Sequence, residues 1–209
     1  MSASSSASAS ASASASGADA SASASGPVPA SFRRCEQWVE KSMASPVVRF
    51  LREKLAEAGC SVEPHPERAP FFHVRHCDQS VAGGFVPTEG VVVCHNHLTS
   101  KEEVEHALAH ELIHAYDHCR AKNLDWTDCK HHACSEVRAA ALSGDCSWKQ
   151  ELLRGRMGLS AQFRSCVRRR AVLSCELNPN CGSTVGARRA VDAVFEKCIA
   201  DTDPFDRLP

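Results

Sequence analysis

The sequence predicts an α+β fold, with a small antiparallel sheet early in the chain and a helical, cysteine-rich part after it. Three observations carry this reading. Short β-branched and aromatic runs between residues 71 and 93 are separated by Gly and Pro turn signals. Apolar residues recur at helical spacing before and after that stretch. Twelve cysteines, with no C-x-x-C pair among them, are spread from Cys35 to Cys198.

The elements follow in order. Residues 2–26 are almost entirely Ser and Ala, with two Gly and one Asp, and nothing there can pack a core. Residues 1–31 therefore read as a disordered tail, too poor in Arg for a transit peptide and without the apolar run of a secretory signal. About 175 residues remain, enough for one domain over 32–209. Between residues 35 and 58, Trp38, Val39, Met43, Val47, Phe50, Leu51 and Leu55 fall at helical spacing. Pro46 divides them into two short helices, the second ending at Gly59. Three prolines make 61–70 a loop. Phe71 to Arg75 reads as a strand, Gly83-Gly84 as a turn or bulge, and Phe85-Val86 with Val91-Val92-Val93 as a hairpin. Ser100-Lys101-Glu102-Glu103 is a capping box, so a helix starts there and runs to about Arg120. Thr127 or Asp128 caps a second helix ending near Ser143-Gly144. Residues 148–175 read as a basic helical segment, 187–200 as a further helix, and the C-terminus as irregular.

Composition narrows the setting. The formal net charge of −1 says nothing strong about partners, and no nucleic-acid partner is expected. No apolar run approaches the roughly 18–20 residues that span a bilayer. An even number of scattered cysteines suits an oxidising compartment and a mostly disulfide-bonded chain. Cys119 and Cys129 could face each other across a turn between helices, although pairing itself does not follow from sequence. Arg154, Arg156, Arg164, Arg168, Arg169 and Arg170 make 154–170 strongly basic, and contact with anionic lipid or a solvated helix face accounts for it equally.

The chemistry concentrates in His110-Glu111-Leu112-Ile113-His114. Four residues apart on a helix, both imidazoles can reach one Zn2+ ion, with Glu111 placed as general base. This is the zincin-like arrangement of a metalloprotease. His106 and His118 continue the same spacing, but each lies roughly 6 Å along the axis from the nearer ligand and about 12 Å from the farther one. They read as an outer face. Asp117 and Arg120 stand where a metzincin needs Gly and His. A gluzincin-like site takes its third ligand from a later helix, and Glu136 is the choice, with His131 and His132 as rivals. Small residues at Ala133, Ala139, Ala140 and Ala141 would let that helix approach closely. Asp117 is a further ligand or an orienting carboxylate, and Tyr116 a possible donor to an oxyanion or a packing residue. The zinc site then occupies 100–146 and a helical, Cys-containing region 147–209.

Beyond the metal motif, the chain carries Ser45-Pro46-Val47-Val48-Arg49-Phe50-Leu51, Cys77-Asp78 with Gly83-Gly84-Phe85, and Val91-Val92-Val93-Cys94-His95-Asn96. More specific still are His110-Glu111-Leu112-Ile113-His114-Ala115-Tyr116-Asp117, Ala133-Cys134-Ser135-Glu136-Val137-Arg138-Ala139 and Leu142-Ser143-Gly144-Asp145-Cys146, with the end Asp201-Thr202-Asp203-Pro204-Phe205-Asp206-Arg207. Together these motifs resemble those of the mitochondrial inner membrane metalloproteases that process and help assemble ATP synthase. The resemblance implies His110 and His114 as ligands and Glu111 as catalytic acid and base. It implies peripheral attachment to the inner membrane on the intermembrane-space side, and oxidative import. It also implies removal of the N-terminal segment of ATP synthase subunit 6 and a chaperone role in assembling that subunit. The subunit 9 ring and a prohibitin-type scaffold would be further partners. Two other readings stay open: an assembly chaperone with dispensable proteolysis, and a nuclear protein associated with DNA repair.

Overall fold

The computed structural model describes residues 28–146 and 159–208. The tail over 1–27 and the start of the basic segment, with Arg154 and Arg156, lie outside them. The elements are α1 (Ala30–Ser42), α2 (Pro46–Glu57), β1 (Phe72–Arg75), β2 (Gly83–Val86), β3 (Gly90–Cys94), α3 (Lys101–Arg120), α4 (Cys129–Leu142), α5 (Leu159–Glu176), a short 3-10 turn (Pro179–Cys181) and α6 (Thr184–Ala200). Helix α1 thus begins inside the stretch that composition assigns to the tail. Its leading Pro29 has no N–H to leave unsatisfied.

The helix ends follow local chemistry. Pro46 occupies the first turn of α2 behind Ser45. Ser100 Oγ accepts from the Glu103 amide at the start of α3, while the Glu103 carboxylate reaches back to the amide of Thr99 rather than that of Ser100. Asp128 Oδ1 accepts from the amides of Lys130 and His131 and starts α4. Ser183 does the same for Gly186 and starts α6 a little earlier than apolar spacing alone suggests.

The sheet corrects one expectation. Its order is β1-β3-β2; β2 pairs antiparallel with β3 as a hairpin, but β1 runs parallel to β3. A parallel partner needs a crossover of a dozen or more residues. Here residues 76–89 supply it, and β2 lies inside that crossover. The sheet is therefore mixed, not antiparallel. Gly83-Gly84 is strand rather than turn, paired with Val93 and Val92. A Cβ on Gly83 would sit 2.4 Å from the carbonyl oxygen of Val92, so the close approach of the two backbones requires glycine there.

Two packed halves meet on α3. Helix α2 and strand β3 pack on it, and their Val48, Leu51, Leu55, Val91 and Val93 share one buried core with Val104, Leu108 and Leu112 of α3. Helix α3 also meets α4, whose Ala133, Ala139, Ala140 and Ala141 are buried as the sequence suggests. Helix α4 is in turn covered by α5 and α6, which explains why apolar and small residues occur all round it. Each fully buried Leu or Val adds about 1.5–3 kcal/mol of transfer free energy.

Ten of the twelve cysteines are bridged, as Cys60–Cys119, Cys77–Cys94, Cys129–Cys181, Cys134–Cys198 and Cys146–Cys166. Cys119 and Cys129 do not pair with each other; each thiol finds a partner distant in sequence. Cys35 and Cys175 are free and buried, and burial pushes the Cys35 thiol up to about 11. No helix among the described residues is long and apolar enough to cross a membrane. Three arginines of α5 are paired within the chain, two of them at the surface. Arg164 pairs with Glu196 and Arg168 with Asp192 on α6, and Arg170 turns inward to Asp145.

Candidate metal centre

Helix α3 carries His110, Glu111 and His114 into the interior, and α4 brings Glu136 against them. All four are at most 3% exposed. His110 Nε2 lies 3.3 Å from Glu136 Oε2, and His114 Nε2 lies 3.4 Å from Glu136 Oε1. Donors held at about 2.0–2.1 Å from one tetrahedral ion stand about 3.3–3.4 Å apart. The two contacts match that spacing through different oxygens of Glu136, and one ligand atom from each side chain lies within 4.8 Å of the others, a span that one cation can bridge. His110 Nε2, His114 Nε2 and Glu136 Oε2 are also buried without a hydrogen-bond partner. Orphaned buried donors and acceptors are costly, and three that converge on one point fit a bound metal.

The opposite edge of each ring is occupied. His110 Nδ1 donates to Asp145 Oδ2 at 3.0 Å, and Arg170 Nη2 donates to the same oxygen at 2.9 Å. His114 Nδ1 donates to Ser135 Oγ at 2.8 Å, whose hydroxyl donates to Asp117 Oδ2 at 2.9 Å. The Arg138 Nε–H bridges both Asp117 oxygens. Such partners fix the tautomer that leaves Nε2 for a metal. Glu136 is oriented by His132, whose Nε2–H donates to Oε1 at 3.1 Å. That tautomer is set in turn by the Asn178 amide, which donates to His132 Nδ1 at 3.0 Å.

The electrostatics follow. Burial opposes a charge on His110, but Asp145 and Glu136 outweigh it and push the group up to about 10. Burial would raise Glu136, yet His114, His110 and His132 hold it well below the usual carboxylate range. Asp145 is likewise held low against burial by Arg170 and His110.

Several expected roles change. His132 is committed at both ring nitrogens and orients Glu136 instead of rivalling it. His131 is exposed on the far side, accepting from the Asp125 amide. Asp117 supports His114 through Ser135. The Tyr116 hydroxyl donates to Asp203 at 3.0 Å, away from the three donors, so it is a packing and anchoring residue. His118 accepts from the Trp126 indole. His132, Cys175 and Cys181 form a second donor cluster, but the Cys181 sulfur is already bonded to Cys129. Sequence reasoning missed Ser135, Asp145, Arg170, Asn178 and Trp126. Ser135 and Asp145 sit inside motif blocks, whereas Asn178 carries no signal of its own. Trp126 packs edge-on against His114 with ring centres 5.8 Å apart, and against Phe85 at 6.1 Å, which makes an apolar wall beside the donors.

A family model described as the peptidase M76 family matches residues 33–206. A protein named mitochondrial inner membrane protease ATP23 from Malassezia globosa is 42% identical over 188 residues, covering 83% of this chain and 76% of that one. Proteins of the same name from Mycosarcoma maydis and Yarrowia lipolytica are 39% and 40% identical. The first alignment covers 84% of this chain and 91% of the relative, the second 85% and 68%. No solved structure matches the chain.

Proposed function

Because the chain belongs to the peptidase M76 family, we propose that it is a zinc endopeptidase of the mitochondrial inner membrane. His110, His114 and Glu136 hold the metal and Glu111 is the acid and base. The observation that carries this is the convergence of three buried side chains with orphaned ligand atoms, within 4.8 Å of one another. When bound, the zinc supplies Lewis acidity to the scissile carbonyl and to the attacking water. Glu111, buried on the turn between the two histidines, accepts a proton from that water and returns it to the leaving amine. Asp145 and Ser135 keep both imidazoles in the metal-binding tautomer. Trp126 and Phe85 keep bulk water from one side.

The proposed substrate is the N-terminal segment of ATP synthase subunit 6, and the proposed setting is the intermembrane-space face, peripherally attached. Two observations support that setting. The relatives carry an inner-membrane protease name, and five disulfides suit an oxidising space that receives its proteins through oxidative import. The same bridges count against a reducing nucleus. A role in assembling subunit 6 with the subunit 9 ring, near a prohibitin-type scaffold, belongs to the same proposal.

Glu111→Gln tests it. The variant retains about one zinc per chain by elemental analysis and loses cleavage of a subunit 6 leader peptide by at least about 100-fold. Cleavage at the wild-type rate overturns the role of Glu111. If the variant still supports ATP synthase assembly in cells, chaperoning and proteolysis are separable activities of the one chain.

A further inference from the structure

The groups that hold the three ligands are themselves held by the C-terminal part of the chain, through Arg170, Asp201, Asp203 and Asn178, and a bridge lies beside each. Asp145 holds His110 and is backed by Arg170. Cys146 follows Asp145 directly, and its partner Cys166 lies one helical turn before Arg170. Ser135 and Asp117 hold His114, backed by Arg138, which is itself held by the carbonyls of Asp201 and Asp203. Cys134 precedes Ser135 and lies one turn before Arg138; its partner Cys198 lies three residues before Asp201. Asn178 holds His132, which holds Glu136. Cys181 lies three residues after Asn178, and its partner Cys129 lies three residues before His132. Of the other two bridges, Cys60–Cys119 ties the end of α3 to the chain after α2 and lies two residues from Asp117, whereas Cys77–Cys94 joins the segment after β1 to β3, and neither of its cysteines adjoins a partner of any ligand.

We propose that these three disulfides act as ligand-positioning devices, one for each metal ligand, so that the metal affinity of the site is built by oxidation of the C-terminal region. Each bridge forms by exchange: two thiols of this chain pass two electrons and two protons to a disulfide-bearing oxidant, which leaves as a dithiol. Until then, the segments that carry Arg170, Asp201 and Asn178 are joined to their counterparts only by long stretches of chain. The separations closed are 20, 64 and 52 residues. A chain that has not been oxidised keeps H-E-x-x-H but lacks the tethered Arg170, Asp201 and Asn178 that hold the aiming groups in place. Proteolysis is thereby confined to molecules that have matured in an oxidising compartment. This inference rests on the three-ligand reading above and adds what sets the strength of that site.

The test uses full-length oxidised protein and Zn2+ alone, with affinity measured by competition against a chromophoric chelator and ligand geometry read from the Co2+ absorption spectrum. Paired Cys→Ser variants at Cys129 and Cys181, at Cys134 and Cys198, and at Cys146 and Cys166 are compared with the pair at Cys77 and Cys94. Each of the first three weakens Zn2+ binding about 10–100-fold and alters the Co2+ spectrum, while the last leaves both within about threefold. Asn178→Ala and Asp145→Asn, which keep every bridge, show the same loss with a native circular dichroism spectrum. They decide the matter for any paired variant that fails to fold. Wild-type affinity in the three paired variants, or in both single variants, overturns the inference, as does an equal loss in the Cys77 and Cys94 pair. Wild-type protein that binds no Zn2+ overturns the three-ligand reading together with it, so the two failures are distinguishable.

Discussion

Arg138→Met isolates what one buried charge contributes. The side chain is 1% exposed and its Nε lies 2.9 and 3.1 Å from the two oxygens of Asp117, itself 4% exposed. Its two terminal nitrogens reach the carbonyls of Asp201 and Asp203. Methionine fills much of the volume but leaves the Asp117 carboxylate with only Ser135 and the more exposed Arg120. Removing one partner of a buried ion pair costs about 3–5 kcal/mol. The two carbonyls lie in a partly solvated segment that water can reach, so they add little. With a urea slope of about 2 kcal/mol per molar, the unfolding midpoint of the metal-free, fully oxidised protein falls by about 1.5–2.5 M. Asp117→Asn in the Arg138→Met background removes the stranded charge and recovers at least about half of that loss. A loss below about 1 kcal/mol, or no recovery in the double variant, refutes the view that this pair is a buried electrostatic unit.

Two further outcomes are expected. Gly90 has φ +109°, and a Cβ there would stand 2.2 Å from the Phe71 carbonyl oxygen, so Gly90→Ala costs at least about 2 kcal/mol in chemical denaturation; an effect within 0.5 kcal/mol counts against the pairing of β1 with β3. The metal-free protein should also show a two-sided pH profile in thermal melts. His110 is raised to about 10, so its contribution is full below the ordinary histidine value near 6.5 and is lost as pH rises through about 10. Asp145 is lowered, so its contribution is present above the ordinary value near 3.8 and fades as pH falls below it. Zn2+ takes the place of the His110 proton and removes the alkaline limb, whereas an alkaline limb unchanged by Zn2+ contradicts His110 as a ligand.

The helices around the site were legible because their boundaries are written locally. Ser100, Asp128 and Pro46 mark starts that depend on a single hydrogen bond or a fixed φ, and all three begin helices where expected. His110, His114 and Glu136 came together because two lie on one helix face and the third on the next small-residue helix. What stayed hidden depends on contacts distant in sequence. The direction of β1 is set by which edge of the hairpin it meets, which no pattern within Phe72–Arg75 records. The partner of Cys119 is Cys60, 59 residues away, and not the nearby Cys129. Asn178 reaches His132 across 46 residues and sits in a Pro-Asn turn that reads as loop in any sequence. Tyr116 was ambiguous because its helix position allows either direction; the position of Asp203 decides it.

The charges buried around the donors argue for a cation among them. Glu111, Asp117, Glu136 and Asp145 are all buried. Asp117 is matched by Arg138 and Asp145 by Arg170, both deep in the fold. Arg120 is engaged with Asp201 and Asp203 near the surface as well as with Asp117. Glu136 faces His110, His114 and His132 rather than an arginine. Burying a carboxylate without a cation is strongly unfavourable, so a facing histidine takes up a proton instead. His110, pushed up to about 10 by Asp145 and Glu136, is the group that does so. A metal cation held by the three side chains would take the place of that proton. The arginines from α4 and α5 thus do more than stabilise the fold. By pairing with the two orienting aspartates, they leave Glu136 to face the imidazoles.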